Sequence, residues 1–292
     1  MSKTNSETIT NIELDKLAPF KSHPYVVRDD EQMRSLTESI RSVGVLTPIV
    51  VRPLPEDEYE IISGHRRVCA CKLAGIMEIP AIIRDVDRDT SIVMMVDSNS
   101  QREKVLPSEK AKAYKMKLDA IKRQGVKLDI IVPVPVGQKS TPKTSRELIA
   151  VNSKDSATQI QRYIRLNDLI PELLEMVDAG SIGMRPAVEL SYLTKDEQKL
   201  LLITIESEQA TPSLSQALLM KKLSRQGKLT DDEILKIMME KKKPECWNIS
   251  IPVSRLVKYF PQTFTPKDME ETIMSLLDGW ARNQTKEHRN RN

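Results

Sequence analysis

Apolar positions change their spacing repeatedly along the first 125 residues. "IELDKLAPF" begins a short strand and turn. In "DDEQMRSLTESIRSVG", Met33, Leu36, Ile40 and Val43 recur three or four residues apart, which predicts an amphipathic helix stopped by Gly44. "VLTPIVVRP" and "EYEIIS" follow as strands. A turn, "GHRR", leads into a helix over "VCACKLAG", closed by Gly75, and "IPAIIRDV" is a further strand. "DTSIVMMVDSNSQREKV" starts as a helix with Asp89 or Thr90 as its cap. "LPSEKAKAYKMKLDAIKRQG" is a longer helix, with Pro107 near its start and Gly125 at its end. The alternation predicts a small mixed α/β domain over residues 1–125.

Residues 126–144, "VKLDIIVPVPVGQKSTPKT", hold three prolines among Lys, Ser and Thr and read as a linker or an extended crossing segment. From 145 to 243 the period is helical. "SRELIAVNSKDSATQIQRYIRL" reads as a short helix, a turn over Asn152–Asp155 and a second helix from Ser156. Ile149, Ala150, Ile160 and Tyr163 have the spacing of core positions in a helix-turn-helix. Thr194 and Thr230 precede acidic residues as helix caps. Residues 244–292 form a short strand-helix element. Ile249, Ile251 and Val253 alternate as in a strand, and Thr265 caps a helix with Pro266 at its first position. That helix carries an apolar stripe of Met269, Ile273, Leu276, Leu277 and Trp280, which needs either the neighbouring strand or a second chain as partner.

The fold class is therefore α+β, with a mostly helical second part. Aromatics make up only 4% of the chain, so aliphatics and 13 Met must fill the core, which favours helix-on-helix packing. The net charge of +4 is too small to imply a nucleic-acid partner, so local clustering of Lys and Arg has to carry that argument. No apolar run is long enough to span a membrane, and "MSKTNSETITNIELDKL" lacks an apolar core of the signal-peptide type. Three Cys in a long chain suggest reduced thiols and a cytoplasmic location.

The stretch "SGHRRVCACK" carries the first candidate chemistry. Cys69 and Cys71 are two apart, so on a helix they point about 200° apart and cannot face one metal ion. They read as small hydrophobes in a packed helix. A strand ending at Gly64 and a helix beginning after it aim free N–H groups and the positive end of the helix dipole at one spot. Arg66 and Arg67 add forked donors matched to phosphate oxygens. From these residues alone, an anion site and an ordinary charged turn both stand. In the second candidate region, the helix after the turn displays Ser156, Thr158, Gln159, Gln161, Arg162 and Arg165, which can contact phosphates and base edges. A polar solvated face on a helical hairpin is the plainer alternative.

The order "SIRSVGVLTPIVVRP", "YEIISGHRRVCACKLAGIMEIPAIIRD" and "NSQREKVLPSEKAKAY" resembles the N-terminal domain of the ParB partition-protein family. That family's turn is usually Gly-Glu-Arg-Arg, with Gly-His-Arg-Arg as a variant, and its later motif is Glu-Asn-x-Gln-Arg. The resemblance implies a CTP-binding fold shared distantly with sulfiredoxin. It implies that Gly64, His65, Arg66 and Arg67 hold a triphosphate, that Gly44, Leu46, Thr47 and Pro48 border the nucleotide, and that Arg102 belongs to the same motif as Asn99. Asn99 is the position that helps hold Mg²⁺ with CTP. The family's Glu associated with CTP hydrolysis falls on Ser98, and a Ser cannot act as a general base without help. Asp97 is the one candidate replacement, turned about 100° from Ser98 on a helix. CTP binding is therefore expected ahead of hydrolysis. Sulfiredoxin's reactive Cys precedes its His, where this chain has Gly64, which disfavours a thiol-repair enzyme.

"DSATQIQRYIRLNDLIPELLEMVDAGSIGMRPAVELSYL" resembles the ParB DNA-binding region, most nearly that of ParB/RepB-type proteins of plasmids and integrative elements. The resemblance implies that residues 156–165 read double-stranded DNA. It also implies a homodimer closed around DNA, with the C-terminal element as a dimerisation unit, a nucleoid- or plasmid-associated location, and a ParA-type ATPase as partner. Residues 1–17 show no clear copy of the family's partner-binding motif. The resulting expectation is a partition protein with a CTP·Mg²⁺ switch. Its rivals are a nucleotide-independent transcriptional regulator on the same scaffold and an enzyme of the sulfiredoxin superfamily, such as a kinase or a nuclease.

Overall fold

The computed structural model describes residues 8–100, 105–124, 145–151, 153–240, 251, 253–261 and 263–289. They fall into two compact units, 1–241 and 242–292. In the first, β1 (Ile9–Glu13), β2 (Leu17–Ala18), β3 (Ile49–Pro53), β4 (Tyr59–Ser63) and β5 (Glu78–Ile83) form one sheet in the order β1-β5-β3-β4-β2. β1 is antiparallel to β5 and β3 to β4, while β5 and β3 run parallel, as do β4 and β2.

Successive strand residues point to opposite faces, and the sequence is apolar on both. Ile49, Val51, Ile61, Ile79 and Ala81 face one way, onto Met33 and Ile40 of α1 (Glu31–Val43) and Val68, Ala70 and Cys71 of α2 (His65–Ala74). Ile62 and Val50 face the other way, onto Ile92, Val93, Met95 and Val96 of α3 (Arg88–Asn99) and onto α4 (Pro107–Gln124). The thiol of Cys71 is fully buried, and burial pushes its pKa up, so the cysteines serve as packing.

The segment expected to form a helix-turn-helix folds as α5 (Ser145–Val151) and α6 (Ala157–Arg165). Ile149 and Ile160 are fully buried, in one cluster with Ile92, Val96, Ala113, Tyr114 and Ile121 of α3 and α4. Burying such a side chain is worth about 1.5–3 kcal/mol relative to leaving it exposed, so this cluster fastens the helix-turn-helix to the α/β layer. A further core holds Ala111 of α4 with Leu166, Leu173, Leu190, Leu201, Met220 and Ile234. These come from the chain after α6 and from α7 (Pro171–Asp178), α8 (Met184–Leu190), α9 (Lys195–Glu208), α10 (Leu214–Arg225) and α11 (Asp231–Met239). Thr194 and Thr230 cap α9 and α11 as their spacing predicts.

Two expectations change. The cap of α3 is Asp87, which accepts the Thr90 N–H at 2.6 Å, so the helix starts before Asp89 and Thr90. The alternation ending at Val253 does not make a strand there, because Val253–Leu256 is a helical turn, α12, while Ile249 lies outside the described residues. In the second unit, α13 (Pro266–Arg289) is capped by Thr265; Met269 is buried, but Leu276, Leu277 and Trp280 are exposed. The linker 126–144 and Gly125 lie outside the described residues. No described helix is long and apolar enough to cross a membrane.

Candidate functional site

Gly64 joins β4 to α2 with φ +109°, a conformation L side chains rarely adopt. A Cβ there would lie 2.5 Å from Cγ2 of Ile49, so β3 passes this turn only because the residue is Gly. His65 Nε2 accepts the Phe20 N–H at 3.4 Å, and its ring lies 3.8 Å from that of His23. His23 Nδ1 is 2.7 Å from the Tyr25 carbonyl oxygen, so that nitrogen carries the proton.

The two arginines bind different partners. Arg66 Nη2 donates to Oδ1 of Asp30 at 3.0 Å, and Asp30 caps α1 by accepting the Met33 N–H at 2.8 Å. The Arg66 bond, with help from that amide, lowers the Asp30 pKa. Arg67 Nη1 donates to the Thr47 carbonyl and to the Pro48 carbonyl, the latter at 2.6 Å, and burial lowers its pKa. The loop after Gly44 is thereby pinned to the turn, with Leu46 exposed at its tip. Thr47 and Pro48 thus meet Arg67 directly.

Asn99, the last residue of α3, is buried. Its Nδ2 donates to the Met95 carbonyl at 2.8 Å and lies 3.4 Å from Ser98 Oγ. Its side chain lines a cavity of about 170 Å³ shared with Tyr25, Ser100, Lys110, Tyr114, Lys154 and Asp155. None of Gly44–Pro48 or Gly64–Arg67 lines that cavity. The link runs through the chain between β2 and α1: His65 stacks on His23, His23 meets Tyr25 edge-on at 5.5 Å, and Tyr25 lines the cavity. Asp97 pairs with Lys117 of α4, whose side chain is only 4% exposed, and Ser98 Oγ donates to the Met95 carbonyl at 2.9 Å. Asp97 is thus bound into the α3–α4 interface. Arg102 lies outside the described residues.

Among the described residues, no group of three or more His, Cys, Asp or Glu could hold a metal ion. Mg²⁺ needs few protein ligands when phosphates and waters supply the rest, so one amide oxygen, that of Asn99, suits an ion arriving with a nucleotide.

On α6, Ser156 and Gln159 close a capping box: Ser156 Oγ accepts the Gln159 N–H at 3.3 Å and Gln159 Oε1 accepts the Ser156 N–H at 2.9 Å. Thr158, Gln161 and Arg162 are exposed. Arg165 turns aside: it donates to the Ser191 carbonyl at 3.0 Å, pairs with Asp168 at 2.7 Å, and stacks over the Tyr192 ring at 4.0 Å.

A polar cluster joins this motif to α4. Lys110 Nζ and the Tyr114 hydroxyl both donate to Asp155 Oδ2, at 2.9 and 2.7 Å, and Tyr114 also meets Ser153 Oγ at 2.8 Å. Burial is the main reason the Tyr114 pKa is raised. Burial pulls Lys110 down, but the bond to Asp155 and its other partners outweigh it and leave its pKa raised. His23, Tyr25, Lys110, Tyr114 and Asp155 belong to no motif that the sequence displays. Lys110 and Tyr114 are four apart on a predicted helix, a visible signal, but their partner lies beyond the linker.

A family model described as the ParB N-terminal domain matches residues 1–100. The chain is 31% identical over 197 residues to a probable chromosome-partitioning protein ParB of Coxiella burnetii, covering 68% of this chain and 59% of that protein. It is 30% identical over 197 residues to a nucleoid occlusion protein of Listeria monocytogenes, covering 68% of this chain and 61% of that one. The chain thus spans about 60% of the length of these curated relatives. A solved structure of C-terminally truncated ParB from Caulobacter crescentus, complexed to the centromeric parS site, is 21% identical, with TM-score 0.45, covering 74% of this chain and 99% of that one. Residues 1–100 of this chain are therefore a ParB N-terminal domain.

Proposed function

We propose that this chain is a partition-type DNA-binding protein whose helix-turn-helix holds duplex DNA and whose Gly64–Arg67 turn binds CTP with Mg²⁺ as a switch on that grip. The observation that carries the reading is the shared use of α4. One face of this helix packs on α3, which ends in Asn99, and its side chains also bury Ile149 and Ile160 and hold Asp155. A shift of α3 or α4 on nucleotide binding therefore reaches the start of α6 through packed atoms. Coupling of this kind requires that nucleotide favour one arrangement over another.

At the turn, the N–H groups opening α2 and the guanidiniums of Arg66 and Arg67 suit the triphosphate. Mg²⁺ held with Asn99 would neutralise phosphate charge. Because Arg66 and Arg67 already hold Asp30 and the loop carbonyls, a phosphate that draws either guanidinium toward itself would pull on α1's cap and the loop after Gly44. The same bonds favour a second reading, a nucleotide-independent DNA binder in which "GHRR" is purely structural.

The test is calorimetric titration of CTP and Mg²⁺, with ATP and GTP as controls, followed by duplex binding with and without CTP. Selective CTP binding that is lost in Arg66→Ala and that changes DNA affinity supports the switch. DNA binding indifferent to CTP establishes the second reading instead.

A further inference from the structure

Apart from the Gly64–Arg67 turn and the exposed face of α6, the described residues hold a further cluster of cations, around Tyr192. Tyr192, just after α8, is 40% exposed, and three cations from two helices converge on its ring. Lys221 Nζ is 3.7 Å from the ring centroid, the Arg165 guanidinium 4.0 Å and the Arg225 guanidinium 5.5 Å. Two carboxylates answer them: Glu189 pairs with Lys221 at 2.6 Å and Asp168 with Arg165 at 2.7 Å. Arg225 has no carboxylate partner among the described residues, and it is exposed. The ring quadrupole offsets part of the repulsion among three like charges, but the cluster keeps a net positive charge.

Its place on the surface says which anion it meets. Arg165 is one helical step of three residues from Arg162 and one of four from Gln161, both exposed on α6. The cluster is thus continuous with the α6 side chains that would enter a groove. Phosphates line both edges of a groove, so a recognition helix brings its flank against them.

We propose that Tyr192, with Arg165, Lys221 and Arg225 around it, is a platform for the DNA phosphate backbone beside the groove that α6 enters. The platform contributes affinity without sequence preference, and Arg225 supplies its free charge. This inference rests on the helix-turn-helix reading and adds α10 to the footprint.

The test measures binding of the full chain to a random-sequence duplex of roughly two helical turns, by anisotropy, across about 50–200 mM salt. Arg225→Ala should make the slope of log K against log salt shallower by about 0.9 for the lost phosphate contact, while Arg225→Lys should keep it. Arg162→Ala on α6 serves as the comparison. A slope unchanged in Arg225→Ala but shallower in Arg162→Ala overturns the platform, leaves the helix-turn-helix reading intact and points the cluster toward an acidic protein surface. Wild-type chain that binds no duplex at the lowest salt overturns both.

Discussion

The turn at Gly64–Arg67 and the helix at Ser156–Arg165 each present a pair of arginines and use them differently. Arg66 and Arg67 both point inward, to the cap of α1 and to the carbonyls of Thr47 and Pro48. Arg162 is exposed, while Arg165 braces α6 against Ser191 and Tyr192. A ligand at α6 meets side chains already displayed, whereas a ligand at the turn meets guanidiniums that already hold Asp30 and the loop carbonyls. Each bond to a charged group is worth about 1.5–3 kcal/mol, so a phosphate that captures these donors releases the segments they hold. The inward site is suited to switching and the outward one to gripping.

The largest expected effect removes the support common to both. Asp97→Ala leaves the Lys117 ammonium buried without its carboxylate, which should cost about 3–5 kcal/mol of stability by urea unfolding. Because α3 and α4 carry both regions, CTP and DNA binding should weaken together. A loss well under about 1 kcal/mol, the scale of an exposed pair, would mean that Lys117 finds another partner and the two regions do not share this support. If wild type hydrolyses CTP, an unchanged rate in Asp97→Ala would remove Asp97 as a general base.

Gly64→Ala separates the regions. The new Cβ meets Ile49 and a positive φ, for a combined cost of about 2–4 kcal/mol. Duplex affinity should persist at temperatures where the variant stays folded, and CTP binding should be lost. Loss of DNA binding in the folded variant would show that α6 depends on the turn even without nucleotide.

The sequence made these regions legible to different depths. The sheet was readable because β3, β4 and β5 are short apolar runs between turn signals, and α1 because its apolar residues recur at helical spacing. Ile149 and Ile160 were readable as core for the same reason. The start of α3 was not, because Asp87, Asp89 and Thr90 are all good caps and only the folded backbone selects Asp87. Alternation over three positions was too short to hold Val253 in a strand. At the turn, spacing could mark Arg66 and Arg67 as phosphate donors but could not show that backbone carbonyls hold Arg67, since every residue has one. The pairs Asp97–Lys117 and Lys110–Asp155 are tertiary: each side chain reads as ordinary surface charge until α3, α4 and the turn before α6 pack.

The smallest expected effect tests the outward region alone. Ser156 Oγ accepts one of the otherwise unpaired N–H groups at the start of α6, and Gln159 returns the bond. Ser156→Ala should cost about 1 kcal/mol of stability. If the first turn of α6 must be ordered to enter a groove, most of that cost reappears in binding as a roughly fivefold loss of duplex affinity. The salt slope should barely move, because no cation is removed. CTP affinity measured without DNA should be unchanged, since the bonds of Arg66 and Arg67 do not involve α6. A matching fall in CTP affinity without DNA would mean that the start of α6 and the nucleotide turn are coupled even in the free protein, through Asp155, Tyr114 and the cavity that reaches Asn99.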